Sequence, residues 1–175
     1  MKNYILLLYG FVFFTLISCG SQNYLDNNTV KTLLQNEEFT FMAKSAHPTN
    51  YDVINVMNSL PATSASRMLQ LDYGYGITIK KQELVSTLPY FGRSFTPSMD
   101  RDRESLRFTS KNYKIMSTEG KKGAKVLTII PSDVSHIRRI IMEVFPNGRA
   151  YVSIDANDRQ PISYDGYLMK NEEPK

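Results

Sequence analysis

From Glu38 onward the apolar residues of this 175-residue chain recur at every second position, and that period limits what it can fold into. Phe39, Phe41 and Ala43 alternate with Thr40, Met42 and Lys44, and Leu69, Leu71 and Tyr73 alternate with Gln70 and Asp72. Ile77 and Ile79 flank Thr78, and Leu106 and Phe108 flank Arg107. An extended strand points successive side chains to opposite faces, so each run reads as a strand with one buried face. The runs are short and turn residues separate them, which predicts an antiparallel, mainly β domain. A single antiparallel β-sandwich or flattened barrel of about eight to ten strands fits, since both need the same alternation. Only Asn28–Asn36 has helical spacing, with Val30, Leu33 and Leu34 on one face and Asn28 as cap. One short N-terminal helix is therefore expected. Gly74 and Gly76 predict a bend or bulge in the run that holds them.

One hairpin is specified to the residue. Ile140 to Phe145 and Arg149 to Asp155 flank Pro146-Asn147-Gly148. A two-residue Asn-Gly turn would put Pro146, which has no N–H, at a pairing position. A three-residue loop avoids this, with Pro146 and Asn147 in a type I turn and Gly148 in the left-handed bulge position. Val144 then faces Ala150, Met142 faces Val152 and Ile140 faces Ile154, all on one side. A slip of one residue would mix the two faces.

The N-terminus has the layout of an export signal. Lys2 adds charge at the start, Tyr4 to Ser18 is almost wholly apolar, and Leu16-Ile17-Ser18-Cys19 ends the run. A stretch of fifteen residues is shorter than the roughly 20 that span a bilayer as a helix, and it suits a signal-peptide core. Leu16-Ile17-Ser18-Cys19 resembles the lipobox of bacterial lipoproteins. That resemblance implies that residues 1–18 are a signal peptide and that Cys19 carries the lipid at the mature N-terminus. Gly20 is not the aspartate that retains many such proteins at the inner membrane, so an outer-membrane lipoprotein is expected. With nothing acidic crowding the residues after Cys19, it is expected to face the periplasm rather than the cell surface. Residues 19–28 would then be a polar tether holding the domain off the membrane, and residues 29–175 a single domain.

Cys19 is the only cysteine, so no disulfide can form within the domain. The mature chain of about 157 residues is long enough for a proper core. A net charge of +4 is modest, and the basic residues fall in short clusters such as Lys80-Lys81, Lys121-Lys122 and Arg138-Arg139. A nucleic-acid binder concentrates its charge on one face, so that class is set aside.

Chemistry is sparse. His47 and His136 are the only histidines and, with no second cysteine, do not make up a four-ligand metal site. Asp133 and His136 with Ser132 or Ser135 contain the residue types of a catalytic triad, the basis of a hydrolase reading. They lie within five positions in a loop, and no strand-to-helix elbow surrounds a serine. The plainer reading is a polar loop, and no cofactor is implied.

Two segments stand out: Leu88-Pro89-Tyr90-Phe91-Gly92-Arg93-Ser94-Phe95 and Arg159-Gln160-Pro161-Ile162-Ser163-Tyr164-Asp165-Gly166. They allow a binding rim, with Tyr90, Phe91 and Tyr164 for stacking and Arg93 and Arg159 for an anion. They equally allow a structural plug, with turns at Gly92 and Gly166 and Arg159 paired to a loop carboxylate. Together with the Gly148-Arg149-Ala150-Tyr151-Val152 strand, these motifs resemble a family of small Bacteroidetes lipoproteins, domain of unknown function 4251, from about Phe39 to Leu168. The family usually has a glycine-rich stretch after the first motif, where this chain has the charged Pro97–Arg103. The resemblance implies a cell-envelope location and no activity. The expectation is a non-catalytic binding or structural module, anchored in the membrane by its acyl chains, with an envelope protein, glycan or small ligand as partner. The alternative is a carrier of a lipid or other apolar ligand in the barrel interior.

Overall fold

A computed structural model describes residues 22–96 and 104–172. Cys19, the signal-peptide segment and the charged stretch from Pro97 to Arg103 lie outside these residues. Helix α1 (Asn27–Asn36) precedes β1 (Phe39–Pro48), and α2 (Tyr51–Ser59) and α3 (Ala62–Leu69) follow. The remaining strands are β2 (Gly76–Lys80), β3 (Glu83–Leu88), β4 (Leu106–Ser110), β5 (Tyr113–Glu119), β6 (Lys125–Pro131), β7 (Ile137–Val144), β8 (Arg149–Ala156) and β9 (Ile162–Met169). All nine form one antiparallel sheet in the order β4-β3-β2-β1-β9-β8-β7-β6-β5.

The order itself forces curvature. β4 and β5 stand at opposite ends of the hydrogen-bonded sequence of strands, yet only Lys111 and Asn112 join them. The sheet must therefore curl until its edges approach, giving a nearly closed barrel. The seam is held without a ladder. The Ser110 hydroxyl and the Lys111 and Asn112 amides donate to the Asp133 carboxylate, and the Tyr113 hydroxyl donates to the Lys80 carbonyl. The rings of Phe108 and His136 meet edge to face at 6.1 Å.

Inward positions are filled by large side chains. Phe39, Phe41, Ile77, Ile79, Leu84, Leu106, Ile129, Ile140, Met142 and Ile154 are buried, and Val30 and Leu33 bring one face of α1 into the same cluster. Each such side chain contributes about 1.5–3 kcal/mol relative to exposure. The 140–155 hairpin has the expected register, with Ile140↔Ile154, Met142↔Val152 and Val144↔Ala150. Gly148 has φ +80°, and its N–H donates to the Phe145 carbonyl at 3.0 Å.

Four expectations need correcting. The cap of α1 is Asp26, whose carboxylate accepts from the Thr29 amide and hydroxyl, so the helix starts ahead of Asn28. The supposed tether is not free as far as residue 28, because Tyr24 and Leu25 dock on the barrel. The stretch Leu69–Tyr73 is no strand: Leu69 ends α3, and the backbone ties to the sheet are a bridge from Gln70 to Ser45 and the Leu71 amide to the Lys44 carbonyl. Gly166 makes no turn. It lies mid-strand in β9, where a Cβ would stand 2.1 Å from the Met42 carbonyl oxygen, and Gly76 crowds the other side of β1 in the same way.

Candidate functional site

The two motif segments meet at one end of the barrel. The chain leaving β3 runs beside the β8–β9 connection, with Ser94 bridged to Arg159 and the Gln160 amide donating to the Arg93 carbonyl at 3.2 Å. The Phe95 amide donates to the Asp158 carbonyl at 2.7 Å. Tyr164 is fully buried, and its hydroxyl donates to the Pro89 carbonyl. The Tyr90 hydroxyl lies 3.0 Å from the Arg93 carbonyl and 3.1 Å from that of Gln160.

Arg159 is the centre of this junction and is only 2% exposed. Its Nε and Nη2 donate to the Asp158 carboxylate at 2.9 Å, and its Nη1 donates to the Ser105 carbonyl at 2.9 Å. The guanidinium stacks over the Tyr90 ring at 5.0 Å. Pairing with Arg159 holds the Asp158 carboxyl below the usual carboxylate range. Burial pushes the Tyr90 and Tyr164 phenols above their ordinary value.

The five residues expected on a binding rim are thus brought to one end, but not as a rim. Arg159 and Tyr164 point into the protein and have protein partners, so they cannot take an anion or a stacked ligand. Tyr90 is half-buried between Arg159 and two carbonyls. Arg93 is exposed, and Phe91 is half-buried on the outer side.

Phe91 borders a feature that the motifs did not announce. With Asp52, Val53, Val56 and Met57 of α2 and Met68 of α3 it lines an open, almost wholly apolar groove of about 320 Å³. Helix α2 buries no residue. It forms because Asn50 caps it, accepting from the Asp52 and Val53 amides, while the Asn50 side chain donates to Gln160 Oε1 at 2.7 Å. The second motif therefore anchors the helix that carries the groove. Val53, Val56 and Met57 recur at i, i+3 and i+4, and with Asn50 as cap and Asp52 in the first turn they are the sequence signal that could have found this helix.

The polar candidates serve other purposes. Asp133 is turned to the seam, where the Ser110 hydroxyl and nearby amides hold its carboxyl below the usual range. On the outer face of the sheet, His47 Nε2 lies 2.9 Å from Asp165 and 3.4 Å from the Ser45 hydroxyl. A proton relay needs the two partners on different ring nitrogens, and here both crowd one. Among the described residues no group of three His, Cys, Asp or Glu side chains converges as a metal site would require.

A family model described as domain of unknown function, DUF4251, matches residues 22–168. The chain belongs to this family. Among solved structures, a DUF4251 protein from Bacteroides eggerthii shares the fold with a TM-score of 0.51 at 11% identity, over 85% of this chain and 89% of that one. No curated protein matches the sequence. The two motifs that carried the resemblance join at the barrel's end through Tyr90, Arg159 and Tyr164, and Phe91 of the first motif also borders the apolar groove.

Proposed function

We propose that this DUF4251 chain is a lipid-anchored protein of the cell envelope, held by Cys19, whose barrel is a non-catalytic binding module. Its apolar groove takes an apolar segment of a partner protein. What supports the anchor is the lipobox-like Leu16-Ile17-Ser18-Cys19 after a short apolar run. What supports the binding role is exposed apolar surface on one small helical pair and its neighbours. Val56 is 58% exposed and Met68 55%, and both line the groove beside Phe91. Clustered exposed apolar side chains of this kind mark interaction sites, and methionines adapt to varied partners. The carrier reading has no comparable support, because the inward strand positions are occupied by the protein's own side chains.

The test compares full-length protein purified from envelopes with its Val56→Asp, Met68→Asp double variant. The expected result is loss of a co-purifying protein with an unchanged melting temperature. An unchanged set of co-purifying proteins would overturn the assignment of the groove.

A further inference from the structure

Tyr24 and Leu25 are docked on the barrel, so the chain between Cys19 and the folded domain is shorter than the sequence implies. The Tyr24 and Leu25 amides both donate to the Asn147 carbonyl, at 2.9 and 3.2 Å, and the Asn147 side-chain amide donates to the Gln22 carbonyl. The Tyr24 ring stacks on Tyr167 of β9 at 4.5 Å with the planes 4° apart, and Lys44 Nζ donates to its hydroxyl at 3.3 Å. Leu25 lies against Gly148, where a Cβ would approach its backbone nitrogen to 3.0 Å. Five residue steps separate Cys19 from Tyr24, and at roughly 3.3–3.6 Å each they reach about 18 Å at most.

We propose that the turn-bearing end built by Tyr24, Lys44, Lys121, Lys122, Asn147 and Arg149 is the surface that lies on an anionic lipid headgroup layer. This rests on Cys19 being the lipid anchor. Lys121 and Lys122 are exposed and belong to the turn whose Gly123 abuts Pro146, so they flank the docked segment. Lys44 and Arg149 line a groove of mixed polarity beside Tyr24, where Arg149 also pairs with Asp165 at 3.0 Å, so the unpaired charge of this end is carried by Lys121 and Lys122. The helical pair starts from the opposite ends of the strands, where Pro48 pairs with Ile162 and Ile154 pairs with Ile162. From Asn147 that end is about seven strand residues away, roughly 24 Å, which exceeds the reach of the tether. The headgroup layer therefore takes the basic turns, and the apolar groove is held towards the aqueous side.

The experiment uses the full chain, processed in a bacterial host and reconstituted into vesicles of phosphatidylethanolamine and phosphatidylglycerol. A fluorophore is attached through Lys121→Cys in one sample and Val56→Cys in another, and quenchers are carried on the lipid headgroups. Intact mass of each sample reports whether Cys19 is acylated. The expected result is severalfold stronger quenching at position 121 than at 56. Tyr24→Ala should lengthen the free tether and narrow that difference, and Tyr24→Phe, which keeps the stacked ring, should restore it. Acylated Cys19 with equal quenching at the two positions, or stronger quenching at 56, overturns the membrane face and leaves the anchor standing. An unacylated Cys19 removes the anchor and the proposal with it.

Discussion

The guanidinium of Arg159 lies 5.0 Å from the centre of the Tyr90 ring, so the two sequence motifs grip each other across about seventy residues of chain. The same guanidinium is paired with Asp158 and two carbonyls, and it is buried. Removing it by Arg159→Met takes three donors away from the Asp158 carboxylate and those carbonyls. The expected loss is about 3 kcal/mol, since breaking a buried pair from one side strands the other. Arg93→Ala, at an exposed position in the same segment, should stay within about 0.5 kcal/mol. Urea unfolding midpoints separate the two. Equal effects would mean that Arg93 too belongs to the clasp.

Gly166 and Gly76 let β1 run between their strands without a Cβ on either side. Gly166→Ala would thrust a methyl to 2.1 Å from the Met42 carbonyl oxygen and 2.7 Å from the Phe41 ring. Neither a ladder carbonyl nor a core ring can yield easily, so a loss of about 3 kcal/mol is expected in thermal unfolding. Gly120→Ala, whose nearest neighbour is the Val126 methyl at 3.1 Å, should cost clearly less.

Acid should weaken the fold through two carboxylates. Asp158 is held below its ordinary value of 3.8 by Arg159, and Asp133 by the Ser110 hydroxyl. A carboxyl depressed in the folded state contributes stability above its unfolded pKa and loses it as pH falls through the folded one. The melting temperature should therefore decline as pH drops below about 4, and the decline should be shallower in Asp158→Asn, which has no such charge to protonate. Asp133 is exposed and screened by solvent, so Asp133→Asn should flatten the curve less. A wild-type profile that is level through this range would exclude both groups as acid-labile ties.

The sequence made part of this legible. The hairpin from Ile140 to Asp155 was specified because Pro146 excludes the shorter turn and Gly148 accepts a positive φ. Barrel and sandwich were not separable, because closure depends on a two-residue link between strands at opposite ends of the sheet. Helix α2 stayed hidden because its Val53, Val56 and Met57 stripe is short and no residue of it is buried, so it has no core-facing pattern to extend. The Leu69–Tyr73 alternation misled for the converse reason: five positions fit a strand, but Leu69 closes a helix and Leu71 makes one backbone bond to Lys44. In the motifs, composition gave proximity without direction. Asp158, immediately before Arg159, was the available sign that the arginine would turn inward.

The groove gives the last prediction. Val56 and Met68 are more than half exposed, so replacing them removes little burial, and their aspartate variants should melt within the range of ordinary surface changes, about 0.5 kcal/mol. Phe41 sets the opposite standard. It is fully buried, and Phe41→Ala should cost about 3–5 kcal/mol through lost contact and the cavity left behind. The apolar dye 8-anilinonaphthalene-1-sulfonate should bind the folded wild type and lose that signal in Val56→Asp, Met68→Asp. If the double variant instead unfolds like Phe41→Ala, the two side chains support the barrel, and the α2–α3 face is part of its core rather than an interaction surface.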